Sequence, residues 1–337
     1  MRIAVDAMGG DHGPGVIIEG ALRASRELAV EILLVGVEDL IRKEFDRLGS
    51  PKTRVSIVNA PEFIHMGEGP LAFRRKKRSS IQVGTLLVRN RDAEAFVSAG
   101  NTAAVVFITK RLLGALEGVE RPGLSLLVPA PGGLSLFIDV GANANCLPRN
   151  LVQFALMGKT FMKNILGIPE PRIGLMSIGE EKSKGNDLTK EAYKLLAASP
   201  LHFIGNIEGK DLYSGKADVI VSDGFTGNVA LKVTEGVVET FFGMARHEMM
   251  KNFLSKIGFF LMRKNLKRFQ RRVDYSQYGG AHLLGVNGVC IIGHGRSNSG
   301  AVSSAVKLAR DFVVNKVQER IQTEIAGQPG CLDGVKA

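Results

Sequence analysis

The sequence predicts an α/β fold built on a mainly parallel sheet, and three observations carry that expectation. Short apolar runs of strand length alternate with apolar residues at helical spacing, as βαβ units do. Six of those runs end in a joint rich in Gly, Asn, Asp and Ser that leads into a helical pattern. The 337 residues, 45% of them hydrophobic, are enough to bury a large core. The chain therefore reads as a single large α/β domain over 1–337, with a protruding basic amphipathic helical hairpin at about 246–273.

Taken in order, Ile3 to Val5 is a strand that runs into Asp6-Ala7-Met8-Gly9-Gly10-Asp11-His12-Gly13-Pro14-Gly15, and a helix follows from Val16 to Leu28. Two carboxylates, a histidine and four glycines in ten residues suit a metal, a hydroxyl or a reacting phosphate; ordinary capping and turn chemistry uses the same residues. Glu31 to Gly36 is a strand, a helix runs to about Leu48, and Arg54 to Asn59 is a third strand. After a loop, Phe73-Arg74-Arg75-Lys76-Lys77-Arg78 places five consecutive basic residues before Ser79-Ser80 and a helix to Val88. That run is a compact positive site for an acidic partner or phosphate, or a solvated turn.

Ala93 to Val97 is the next strand. It turns through Ser98-Ala99-Gly100-Asn101-Thr102 into a helix marked by Val105, Ile108, Leu112 and Leu113. Such a joint turns backbone N–H groups and a helix's positive end toward the space beyond the strand, which suits phosphate or an oxyanion. Leu124 to Pro129 and Leu134 to Asp139 form one antiparallel pair, and the second strand ends in Asp139-Val140-Gly141-Ala142-Asn143 before a helix from Arg149 to Leu166. Arg172 to Ile178 is a strand leading to Gly179–Asp187, where Lys184 lies, and then to a helix from Leu188 to Ala198. His202 to Gly205 and Asp218 to Ser222 are short strands, the latter followed by Asp223-Gly224-Phe225-Thr226-Gly227-Asn228 and a helix to Met244. Val289 to Ile292, the joint from Gly293 through His294 to Ser299, and one long helix to about Ile325 complete the series. Six joints of one type are expected along one carboxyl edge, where α/β sheets bind ligands.

The formal net charge of +11 is mostly local. Met249 to Val273 holds eight basic residues and no acidic one, and without that window the balance is +3. Within it Met250, Phe253, Leu254, Ile257, Phe260 and Leu261 recur at helical spacing, Phe259 and Met262 widen the face, and Leu266, Phe269 and Val273 form a second stripe beyond a turn near Arg263-Lys264-Asn265. An apolar face with basic flanks suits an anionic lipid surface, a dimer mate, packing on the core, or an acidic protein; with no aromatic stacking set it does not suit nucleic acid.

Cys146, Cys290 and Cys331 have no CxxC spacing, so neither a disulfide framework nor a metal site is expected, and a reducing cytoplasm is the simplest home. Met1 to Asp6 is neither a signal peptide nor a membrane span. GxGxxG, GxxxxGK[ST] and GxSxG are absent, and His247-Glu248 lacks the closing histidine of HExxH because Lys251 stands there. Nicotinamide, P-loop and acyl-serine chemistries lose their support.

Asp6-Ala7-Met8-Gly9-Gly10-Asp11-His12, Arg74-Arg75-Lys76-Lys77, Ser98-Ala99-Gly100-Asn101-Thr102, Asp139-Val140-Gly141-Ala142-Asn143, Ser222–Asn228 and Tyr278-Gly279-Gly280-Ala281 together resemble the bacterial phosphate acyltransferase family, in order from residue 1 to about 325. The resemblance implies a Rossmann-like three-layer α/β/α fold related to phosphotransacetylases and isocitrate-type dehydrogenases, a homodimer, and peripheral attachment to the cytoplasmic membrane. It also implies a reaction: orthophosphate attacks the thioester of a long-chain acyl-acyl carrier protein (acyl-ACP), and the acyl phosphate released feeds phosphatidic acid synthesis. Ala103 and Asn145 depart from the family pattern, and no role passes to either.

Phosphate is already a nucleophile at neutral pH, so such a site needs positioning and an oxyanion partner, with no cofactor and no metal. Lys184 and Asn228 are the expected catalytic pair. Asp6, Gly9, Gly10, Asp11, His12, Ser98, Gly100, Asn101, Thr102, Asp223 and His294 are expected to hold substrate, Arg74 to Lys77 to dock the carrier protein, and Phe253, Leu254, Ile257, Phe259, Phe260 and Leu261 to touch the membrane. A phosphotransacetylase acting on coenzyme A thioesters is the alternative.

Overall fold

Short strands with little polar interruption build one sheet. A computed structural model describes residues 1–337 except 50–53, Pro70, Asp274 and 329–337; the side chains of Leu254, Lys267, 270–273, Tyr275 and Ser276 also lie outside the description. The strands are β1 (Arg2–Asp6), β2 (Glu31–Gly36), β3 (Val55–Asn59), β4 (Ala95–Ser98), β5 (Gly123–Ala130), β6 (Gly133–Ile138), β7 (Ile173–Met176), β8 (Phe203–Ile207), β9 (Val219–Val221), β10 (Ala281–Leu284) and β11 (Val289–Ile292). Their order across the sheet is β3-β2-β1-β4-β11-β10-β5-β6-β9-β7-β8. β1, β4, β9 and β11 are apolar and buried almost throughout, as strands covered on both faces must be.

The helices cover both faces. α1 (Pro14–Leu28), α2 (Glu38–Arg47), α6 (Pro148–Ile165), α7 (Asp187–Ala198), α10 (Ser299–Val314) and α11 (Val317–Ala326) pack around one core layer, which includes Ile18, Ile41, Phe154, Leu196 and Phe312. α3 (Ala72–Arg75), α4 (Ser80–Arg89), α5 (Thr102–Leu113) and α8 (Gly224–Met249) pack around the other, with Phe73, Ile81, Ile108 and Leu231. The three-layer α/β/α expectation holds.

The joints do not share an edge. β1, β2, β3, β4 and β11 run parallel, β10 opposes β11, β5 opposes β10, and β6 opposes β5. β9, β7 and β8 then run parallel with β6. The two halves of the sheet therefore point in opposite directions. The joints after β1, β4 and β11 lie at one edge, and those after β6, β9 and β7 lie at the other. The error came from β10, which periodicity overlooked; its four residues replace the single expected antiparallel pair with three such pairings.

Two further departures have local causes. The C-terminal helix is broken between α10 and α11, where Lys316 takes a left-handed conformation at φ 50°. The amphipathic hairpin turns at 250–252 instead of near Arg263: Asn252 caps α9 (Phe253–Val273) by accepting from the Ser255 N–H at 2.9 Å, and no residue in Arg263-Lys264-Asn265 interrupts the helix. The hairpin is thus α8 followed by α9, and the rings of Phe242 and Phe269 approach to 6.0 Å across it.

Candidate active site

At the β1/β4 edge, the polar residues mostly hold each other. Ser98 Oγ donates to Asp6 Oδ2 at 2.7 Å and accepts from the Gly100 N–H at 3.1 Å; the Met8 N–H also reaches Asp6. Burial raises the Asp6 pKa above the usual carboxylate range, against the pull of those donors. The β1 joint lies so close to the β4 joint that a Cβ on Gly9 would stand 2.6 Å from the Gly100 nitrogen. Gly10, at φ 87°, turns the chain where a side chain would strain it. Asn101 caps α5 through the Ala104 N–H at 3.0 Å, and its amide donates to the carbonyls of Met66 and Glu68 at 2.9 and 3.0 Å.

Asp6, Gly9, Gly100, Ser98 and Asn101, expected to contact substrate, therefore brace the edge, because the same donors that suit phosphate also suit a turn. Asp11 and His12 are exposed beside the β11 joint, where the Asp11 N–H donates to the Gly295 carbonyl at 2.7 Å. His294 Nδ1 accepts from the Arg296 N–H at 3.2 Å, and its Nε2 lies 3.8 Å from Glu235 of α8. Arg296 pairs with Glu239 of the same helix.

The opposite edge is built on Asp139, which is fully buried. It accepts from the N–H groups of Leu124, Gly141 and Ala142 at 3.1, 3.0 and 2.9 Å, and from the Asn143 amide at 2.8 Å. Burial again raises its pKa. α8 begins hard against this loop, since a Cβ on Gly224 would lie 2.6 Å from the Asn143 carbonyl and one on Gly227 only 1.9 Å from that of Asp139. Asp223, expected to contact substrate, caps α8 through the Thr226 N–H and hydroxyl at 2.9 and 2.7 Å. Asn228, one residue beyond Gly227, is exposed over Gly141. Lys184 is exposed in the joint after β7 at this same edge, its backbone N–H donating to the Glu181 carbonyl at 3.0 Å.

Helices connect the two edges. α5 starts at the β4 joint and ends where Lys110 Nζ reaches Asn143 Oδ1 at 2.8 Å and the Ala142 carbonyl at 3.4 Å. α8 starts at the β9 joint and passes the β11 joint at Glu235 and Glu239. Between α5 and the start of α8 lies a cleft of about 680 Å³, walled by Val106, Phe107, Leu124 and Val140 and carrying Thr102, Lys110 and Asn228. Nothing in the periodicity singles out Lys110, because a cation in the last turn of a helix is ordinary; the signal was Thr102, Val106 and Lys110 falling on one helical face.

The basic run is divided. Arg74, Arg75 and Lys77 are exposed, whereas Lys76 turns inward, its ammonium paired with Glu68 at 2.5 Å and the Phe63 carbonyl at 2.8 Å. On α9, Phe253, Ile257, Phe260 and Leu261 are exposed, Phe259 is half-buried, and the Leu254 side chain lies outside the described residues.

Known proteins share this architecture. A phosphotransacetylase from Streptococcus pyogenes superposes with a TM-score of 0.65 at 18% identity, over 93% of this chain and 94% of that one. A branched-chain phosphotransacylase from Enterococcus faecalis V583 gives 0.55 at 14%, over 92% and 99%. A 4-hydroxythreonine-4-phosphate dehydrogenase from Klebsiella pneumoniae gives 0.53 at 15%, over 93% and 99%. At those identities the likeness concerns the fold alone. In sequence, a phosphate acyltransferase from Pelotomaculum thermopropionicum is 47% identical over 326 residues, covering 96% of this chain and 95% of the relative. One from Heliobacterium modesticaldum is 46% identical over 335 residues, covering 98% and 100%. The model of the family described as "Fatty acid synthesis protein" matches residues 1–320. On that match and those relatives, the chain is an acyltransferase and belongs to the phosphate acyltransferase family.

Proposed function

We propose that this acyltransferase moves a long-chain acyl group from acyl-ACP to orthophosphate, forming acyl phosphate for phosphatidic acid synthesis. The observation that carries the reading is the cleft: apolar walls from Val106, Phe107, Leu124 and Val140 end at an ammonium and an amide, Lys110 and Asn228. An acyl thioester needs both surfaces, one for the chain and one for the developing oxyanion. Asn228 makes no side-chain hydrogen bond among the described residues, so its amide is available to the thioester carbonyl or to phosphate. Lys184, from the neighbouring joint, supplies the cation that positions phosphate. Thr102 and the N–H groups at the start of α5 serve the other end of the cleft. Phosphate attacks the thioester carbon, the tetrahedral oxyanion collapses, and the carrier leaves as a thiolate that takes a proton from solvent, because His12 and His294 stand at the opposite sheet edge.

Arg74, Arg75 and Lys77 form the proposed docking patch for the acidic carrier. α9 is the proposed membrane contact, an assignment supported by Phe253, Phe260 and Leu261, each more than 70% exposed, beside exposed Lys256 and Arg263. Among the described residues no helix is long and apolar enough to cross a membrane. α8 leaves Phe225, Val229, Val233, Val237 and Phe241 exposed at four-residue steps, a stripe suited to a second copy in a homodimer.

The deciding experiment incubates the protein with palmitoyl-ACP and phosphate and looks for acyl phosphate, with palmitoyl-coenzyme A in a parallel tube. Product from the carrier thioester is expected. Product from the coenzyme A thioester alone would establish the phosphotransacetylase alternative.

A further inference from the structure

We propose that the β6 end of the cleft is a binding site for a phosphoryl group, with Lys110 as its principal cation and Arg111 and Arg121 beside it. The proposal rests on the acyl-phosphate reading for its choice of ligand, and on geometry for its place.

The argument starts at Asn143. Its amide nitrogen donates to Asp139 Oδ2 and to the Pro122 carbonyl, both at 2.8 Å, and both partners only accept. The amide oxygen must therefore face Lys110, whose ammonium it holds at 2.8 Å. The Ala142 carbonyl takes a second, longer bond at 3.4 Å. Both of these acceptors are neutral, and an ammonium has three N–H groups, so one remains for an occupant of the cleft. No carboxylate forms an ion pair with Lys110 among the described residues; Asp139 acts on it only across the Asn143 amide.

The surroundings add positive charge. Arg111 lines the cleft. Burial is the main influence against the charged form of the half-buried Lys110 amine; Asp139, across the Asn143 amide, opposes it, and Arg121, exposed in the turn before β5, acts with burial more weakly. A cation kept in an apolar wall by neutral acceptors, with like charges beside it, is completed by an anion, and the low dielectric of Val106, Phe107 and Val140 strengthens that pairing. The apolar stretch toward Thr102, eight helical residues and roughly 12 Å long, would run beside the hydrocarbon part of the same ligand.

The test is calorimetric titration of the full chain with inorganic phosphate, dodecyl phosphate and 4′-phosphopantetheine, comparing wild type, Lys110→Met and Lys110→Arg. Lys110→Met is expected to weaken at least one of the three by about tenfold or more, and Lys110→Arg to restore most of it. The ligand that is lost identifies the source of the phosphoryl group: free phosphate, the lipid-like product, or the carrier's arm. A role confined to tying α5 to the β6 joint would lower the thermal midpoint while leaving all three affinities unchanged, and that result overturns the proposal. If Lys110→Met does not fold, Arg121→Gln carries the same test, with about threefold weakening expected and unchanged affinities counting against it. Acyl phosphate formation by wild type is scored separately. Its absence alongside phosphoryl binding lost in Lys110→Met would sink the reaction and keep the site; its presence with unaltered binding would do the reverse.

Discussion

The residues of this protein separate by whether their hydrogen bonds are already used. Ser98, Asn101 and Asp223 have theirs committed to turns and caps, whereas Asn228 and Lys184 stand exposed at one sheet edge. Lys184→Ala and Asn228→Ala are accordingly expected to lower acyl phosphate formation by orders of magnitude with thermal midpoints near that of wild type; near-normal turnover in both would remove them from the mechanism. His282 lies elsewhere and affects stability instead. Its ring sits beside Phe161 and Phe312, its Nε2 has no partner among the described residues, and burial depresses its pKa from 6.5 to about 3. Between those values the unfolded chain takes up a proton that the folded chain refuses, so stability falls as pH drops through 6.5 toward 3. His282→Met should remove that loss: its urea midpoint is expected to fall less than that of wild type between pH 7.5 and pH 5.

Among the elements, α8 and α9 differ from the rest because their apolar residues face outward. α1 buries Ile17, Ile18, Ala21 and Leu22, but α8 exposes Val233, Val237 and Phe241, and no α9 residue among those described is buried. If α8 pairs two copies, Val233→Glu with Phe241→Glu should halve the mass seen by sedimentation; a wild type that already sediments as a monomer would remove the dimer from the proposal. If α9 rests on lipid, wild type should float with anionic vesicles and Phe253→Glu, Phe260→Glu should not, with the difference shrinking at high salt. Element type and order were largely legible because strand and helix periods are local. The β10 strand was not, since four residues between glycine turns carry too short a pattern, and the hairpin turn was misplaced because its signal was one capping asparagine, Asn252.

For the molecule as a whole, local pattern could not give strand direction, and that concealed the site's construction. The sequence contains the six joints but not their division into two sets of three at opposite edges. That division depends on β10, which pairs locally with β11 but also with β5, more than 150 residues away in the chain. Lys110 was concealed for the same reason, because its meaning comes from Asn143, thirty-three residues away.

The same pairing has a consequence during synthesis. β11 is the partner of β4, yet roughly 190 residues separate them, so at about 5–20 residues per second a ribosome takes on the order of 10–40 s to supply the missing neighbour. Throughout that interval β4, with all four of its residues apolar or small, presents an open edge to any other nascent chain. A holdase that shields unpaired strands would raise the yield of this protein most in that window.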